Sequence, residues 1–72
     1  MRSLTPRVEG AIQALPDQFA SVIRLVDIGE LSYKDAAAAL DVPVGTVMSR
    51  LFRGRRLLAA SLRDAPDLAA AA

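Results

Sequence analysis

The chain contains no cysteine and no histidine among its 72 residues. Without cysteine, no disulfide can staple the fold and no thiolate zinc site can form. Without histidine there is no imidazole metal ligand, no histidine general base and no Ser/His/Asp triad. The carboxylates are scattered, with no pair spaced for acid–base work, so the chain is read as not an enzyme and as needing no cofactor or metal. A small-molecule ligand is not expected either. Long apolar runs are also missing. The apolar share is 53% but leans on alanine, and no window approaches the ~18 uninterrupted apolar residues of a membrane span. The opening Met1-Arg2-Ser3-Leu4-Thr5-Pro6 lacks the apolar core of a secretory signal. The expectation is a cytoplasmic protein with no membrane partner. A chain this short makes one small domain that buries about 60% of its unfolded surface, so its stability is modest.

The net charge is only +1, but it is unevenly placed. Through Asp41, Arg2, Arg7, Arg24 and Lys34 face Glu9, Asp17, Asp27, Glu30, Asp35 and Asp41, a balance of −2. Beyond it, Arg50, Arg53, Arg55, Arg56 and Arg63 face only Asp64 and Asp67, a balance of +3. The total would not suggest nucleic acid. The local excess does, because a positive potential on one element attracts phosphates.

Breakers divide the chain into four helical runs, at roughly 6–14, 17–28, 32–40 and 45–63, with an Ala-rich tail at 65–72 expected to fray. Thr5-Pro6 reads as an N-cap with proline at the first helical position. Val8, Ile12 and Leu15 then share a face, although Gly10 weakens that helix. Pro16-Asp17 opens the second helix, with Phe19, Val22, Ile23 and Val26 apolar and Gly29 as the expected stop. Ser32 caps the third, with Asp35 as a shorter-armed capping-box partner. The alanines that follow, Ala36 and Ala37 among them, let another helix come close. Asp41-Val42-Pro43 makes a turn, and Val44-Gly45-Thr46 begins the fourth helix. No strand-like alternation and no repeat is present. The fold class expected is all-α, a small four-helix domain containing a helix-turn-helix over residues 1–64.

The fourth helix carries the functional signal. At 100° per residue, Val47, Leu51, Gly54, Leu58 and Leu62 form one narrow stripe, the core face. Ser49, Arg53 and Arg56 lie opposite, with Phe52 and Thr46 at the edge. Met48 and Arg55 flank one border and Arg50 the other. Arginine can grip guanine O6 and N7 in bidentate fashion, hydroxyls can meet phosphates or base edges, and Phe52 can touch a thymine methyl. Amides at the helix start, near Gly45 and Thr46, can hold a phosphate, and Gly45 lets a sugar–phosphate backbone approach. Arginines on an outward helix face are ordinarily just a solvated surface. Phe52 is harder to explain that way, because a large exposed ring wants a partner. A short helix, a proline-containing turn and a basic helix together form the helix-turn-helix pattern of a major-groove reader.

Three segments carry a resemblance. They are Ala14-Leu15-Pro16-Asp17; Leu25-Val26-Asp27-Ile28-Gly29-Glu30-Leu31-Ser32-Tyr33-Lys34-Asp35-Ala36-Ala37; and Val42-Pro43-Val44-Gly45-Thr46-Val47-Met48-Ser49-Arg50-Leu51-Phe52-Arg53-Gly54-Arg55. Together they resemble region 4 of the extracytoplasmic-function (ECF) class of bacterial sigma factors, from about Val8 to Leu62. The resemblance implies a winged-helix-like arrangement of the sigma region 4 type, without a wing. It implies recognition of the promoter minus-35 element in the major groove, directing RNA polymerase to start transcription in the bacterial nucleoid. It further implies docking on the flap tip of the polymerase β subunit and inhibition by an anti-sigma factor. By position, Met48, Ser49, Phe52 and Arg53 resemble the base-proximal residues. Arg50 and Arg56, with Tyr33 and Lys34 on the supporting helix, resemble backbone contacts.

The chain departs from the family pattern at three places. Met48 stands where a cation is usual, which predicts weaker phosphate binding or an altered base preference. Ala36 replaces a larger aliphatic residue, which predicts a looser helix-turn-helix core. Gly54 replaces alanine, at about 1 kcal/mol of helix propensity. Nothing here resembles region 2, so the expectation is a domain excised from a longer protein. Two alternatives stand beside this reading. One is a LuxR-type regulator domain, which Leu4-Thr5-Pro6-Arg7 mimics. The other is an interaction module that binds polymerase flap or anti-sigma factor with little DNA affinity of its own.

Overall fold

The computed structural model describes residues 5–64; the tail expected at 65–72 lies outside them. Helix α1 spans Pro6–Gln13, α2 Asp17–Val22, α3 Tyr33–Leu40 and α4 Val44–Asp64. No strand occurs among the described residues. The caps follow the sequence. Thr5 Oγ1 accepts from the Val8 amide at 3.2 Å, with Pro6 at the first position. Ser32 Oγ accepts from the Asp35 amide at 3.0 Å. Each hydroxyl satisfies an amide that has no partner inside its own helix.

The second run departs from expectation. It is α-helical only to Val22 and continues as a π-helix over Ile23–Ile28. The Gly29 amide reaches back five residues to the Arg24 carbonyl at 2.8 Å, and the Leu31 amide reaches the Leu25 carbonyl at 3.0 Å. The stop is also not where the glycine suggested. Gly29 keeps right-handed geometry, and it is Glu30 that turns left-handed at φ 61°. Gly29 is needed for closeness instead. A Cβ there would sit 2.9 Å from the Leu25 carbonyl oxygen and 3.2 Å from that of Arg24, so the wide turn closes only over a bare Cα.

The α3–α4 corner is a Schellman turn built without glycine. Asp41 adopts φ 57°, ψ 47°. The Val42 amide donates to the Ala37 carbonyl at 3.1 Å, and that of Asp41 to Ala38 at 3.3 Å. Aspartate tolerates the left-handed region better than most side chains. Pro43 follows, ends any continuation of α3, and offers its carbonyl to the first turn of α4.

The core is Ile12, Ala20, Val22, Ile23, Ala36, Ala37, Val47 and Leu51. It draws on every helix, and α4 crosses α1, α2 and α3. Val47, Leu51 and Gly54 are buried as the wheel requires, while Leu58 and Leu62 are half-buried. Gly54 recovers part of its propensity cost through contact. A Cβ there would lie 3.1 Å from both Phe19 Cβ and Ile23 Cδ1, so α2 and α4 approach more closely than an alanine would comfortably allow. Ala36 is wholly enclosed, 0% exposed. Arg7 donates to the Leu62 carbonyl and ties α1 to the far end of α4.

Candidate nucleic-acid interface

Burying the Val47–Leu51–Gly54 stripe forces the opposite side of α4 outward. Met48, Ser49, Phe52, Arg53 and Arg56 are all exposed, and Thr46 and Arg50 are half-buried at its borders. Phe52 is 63% exposed and Met48 51%, a considerable cost in water for residues of this size. The Arg56 guanidinium sits over the Phe52 ring, 5.7 Å from its centre. Tyr33 and Lys34 begin α3 and are exposed, and Tyr33 faces Met48 and Phe52 of α4. Of the ten residues singled out from sequence, eight are in α4 and two open α3.

Two grooves flank this face. On the α3 side, Tyr33, Met48, Phe52, Arg55 and Arg56 line a mostly apolar hollow. On the α2 side, Gln18 and Phe19 face Gly45, Thr46, Ser49, Arg50 and Arg53 across a polar one. Gln18 was not singled out from sequence. No periodicity marks it, since only the α2–α4 crossing brings it there. Gly45 is exposed, with open space where a Cβ would stand, so close approach of an outside backbone is unobstructed. The helix start is less free than expected. The Thr46 amide already donates to the Pro43 carbonyl at 3.0 Å, and the Val47 amide to the same oxygen at 3.3 Å. The amides of Val44 and Gly45 remain for an external acceptor.

The arginines divide by partner. Arg24 pairs with Glu9 at 2.8 Å. Its hydrogen bond holds the Glu9 carboxyl below the usual value against the opposing effect of burial, with smaller help from its charge and from Gln13. Arg55 grips Asp27 with both ends of its fork, Nε to Oδ2 at 3.0 Å and Nη2 to Oδ1 at 2.6 Å. That hydrogen bonding keeps Arg55 more firmly protonated than usual, with a lesser contribution from Tyr33. Among the described residues, no carboxylate pairs with Lys34, Arg50, Arg53 or Arg56. Arg7 and Arg63, at the far end of α4, have no carboxylate partner either, but Arg50, Arg53 and Arg56 stand together on and beside the outward face of α4, where a polyanion would meet them.

Residues 6–58 match the family described as Sigma-70, region 4. The chain belongs to that family. This region 4 is 43% identical over 61 residues to the ECF RNA polymerase sigma factor SigW of Bacillus subtilis, covering 85% of the chain and 33% of the relative. It is 43% identical over 51 residues to the ECF sigma factor SigE of Mycolicibacterium smegmatis, covering 71% of the chain and 20% of the relative. It is also 45% identical over 47 residues to the ECF sigma-E factor of Escherichia coli K12, covering 65% and 25%. The chain thus spans a third or less of the curated relatives it matches. It is region 4 of an ECF sigma factor, and the LuxR-type alternative is not favoured. No helix among the described residues is long and apolar enough to cross a membrane.

Proposed function

We propose that this region 4 reads the promoter minus-35 element, with α4 lying in the major groove, and so helps direct RNA polymerase to its start sites. The observation that carries the reading is Phe52, 63% exposed among unpaired arginines on the side of α4 opposite the buried stripe. Met48, Ser49, Phe52 and Arg53 are assigned to base edges. Arg50, Arg56, Tyr33 and Lys34 are assigned to the sugar–phosphate backbone, and Gly45 and Thr46 to its closest approach. Residues through 64 form the reading unit. The role is that of a non-enzymatic initiation factor in the bacterial cytoplasm, at the nucleoid. The polymerase β-flap tip and an anti-sigma factor complete the set of partners. The half-buried aliphatic residues of the first two helices and of the link between them, Val8 and Leu15 among them, offer the apolar surface for protein docking.

The test is selection of bound duplexes from a randomised DNA pool, followed by salt-titrated anisotropy on the enriched sequence. The expected result is a short motif whose binding weakens steeply with salt, with a slope near −0.9 for each phosphate neutralised. An unenriched pool with no salt-dependent binding would instead support the interaction-module reading.

A further inference from the structure

Arg55 belongs to the most basic stretch of the chain, yet its fork turns away from the outward face. Both Asp27 oxygens are engaged, at 3.0 and 2.6 Å. Asp27 lies in the π-wound segment Ile23–Ile28. Tyr33, the first residue of α3, lines the same groove as Arg55, and so do Met48 and Phe52. One guanidinium therefore stands where the π segment, the start of the supporting helix and the reading helix converge. A planar fork on a carboxylate fixes direction as well as distance, which an ammonium cannot do. Exposed ion pairs add little to stability, so the value of this one lies in the geometry it imposes.

We infer that Asp27 and Arg55 form a positioning clamp, which sets the angle of α4 against α3 and the placement of Tyr33 and thereby tunes DNA preference without touching DNA. The inference rests on the minus-35 reading above. It makes a prediction opposite in sign to simple electrostatics. Asp27→Asn removes an acid next to a basic face, and charge alone predicts tighter DNA binding. The clamp predicts weaker binding to the preferred site. Arg55→Lys keeps the charge and loses the fork, so it weakens binding in the same way.

The experiment compares the 72-residue chain with Asp27→Asn, Arg55→Lys, Tyr33→Phe and their pairwise combinations, at a temperature where melting curves show every variant folded. Two probes are used, the duplex carrying the motif enriched by the unaltered chain and a scrambled duplex. Each single substitution at 27 or 55 is expected to weaken binding to the motif duplex by about tenfold. Binding to the scrambled duplex, which shares only the backbone contact of Tyr33, falls by clearly less, and the salt slope stays as it was. The double substitution costs no more than either single one, and the loss shrinks in the Tyr33→Phe background. Tighter binding by Asp27→Asn, with a slope steeper by about one, would overturn the clamp and make Arg55 a restrained phosphate contact. An equal loss on both duplexes would overturn it in favour of general loosening. A DNA-free measurement separates its failure from that of the minus-35 reading. The Arg55 Nε proton should give a slowly exchanging NMR signal that disappears in Asp27→Asn. Its absence from the unaltered chain overturns the clamp whatever the DNA result, whereas an unenriched pool with the signal intact overturns the DNA reading.

Discussion

Arg53 and Arg55 stand two residues apart on α4, yet one lines an open polar groove with Arg50 and Gln18 while the other is locked on Asp27. Two positions along an α-helix are about 200° around it, so the same side chain is delivered to opposite flanks. On the α2 flank the cations are left unpaired, as recognition of a polyanion requires. On the α3 flank a cation is joined to the scaffold. The pair shows that the local count of arginines overstates what is available to DNA. Phase on the helix, and the acid that phase meets, decides which arginine reads and which one holds.

The most drastic way to break this contrast is to remove the stripe that sets the phase. Leu51 is 1% exposed at the centre of the core. Leu51→Ala should cost about 2–5 kcal/mol of stability, read as a large fall in denaturant midpoint, and should abolish both flanks together. An unchanged midpoint would mean that the helix is held elsewhere. Next in size, Arg53→Ala on the open flank should cost about 1–3 kcal/mol of binding on the enriched duplex and relax the base preference at one position. A uniform loss across sequences would reassign Arg53 to phosphate. Met48→Arg adds a cation on the border of the outward face. It should raise affinity and steepen the logarithmic salt slope by up to about one; an unaltered slope would show that residue 48 points away from the duplex.

A smaller effect concerns the scaffold. Besides Asp27–Arg55, the described residues hold the Glu9–Arg24 bridge. Because Glu9 titrates below its ordinary value of 4.5, its stabilisation is complete above that pH and fades as the pH falls through the lower folded value. Melting temperature should therefore decline on acidification, slightly less steeply in Glu9→Gln, and DNA affinity at neutral pH should not respond to that substitution.

Much of this was legible in the residues. The four helices, the Thr5 and Ser32 caps, the corner at Asp41-Val42-Pro43 and the buried stripe of α4 follow from local chemistry, and local chemistry is written in neighbouring residues. The outward placement of Phe52 and Arg53 follows from that stripe. What was not legible depends on distant contacts or on winding. Asp27 and Arg55 are 28 positions apart, and no spacing rule joins them. Gln18 reaches the interface through the crossing of α2 and α4, which Gly54 lets come close. The apolar spacing of Val22, Ile23 and Val26 suits α and π windings alike, so the change at Ile23 left no mark. Gly29 looked like a stop because glycine so often supplies the left-handed residue; here its missing side chain serves a carbonyl contact, and Glu30 takes the turn.

The π-wound segment has one more consequence. A π-type hydrogen bond, such as that from Gly29 to Arg24, spans one residue more than in an α-helix, so Ile23–Ile28 holds chain length that an ordinary helix would not need. A chain shortened by one residue within this segment can rewind as plain α-helix and still deliver both ends to the same places. The second helix is thus a length buffer, able to absorb a single-residue deletion that would throw α4, with its stripe and its face in strict phase, out of register.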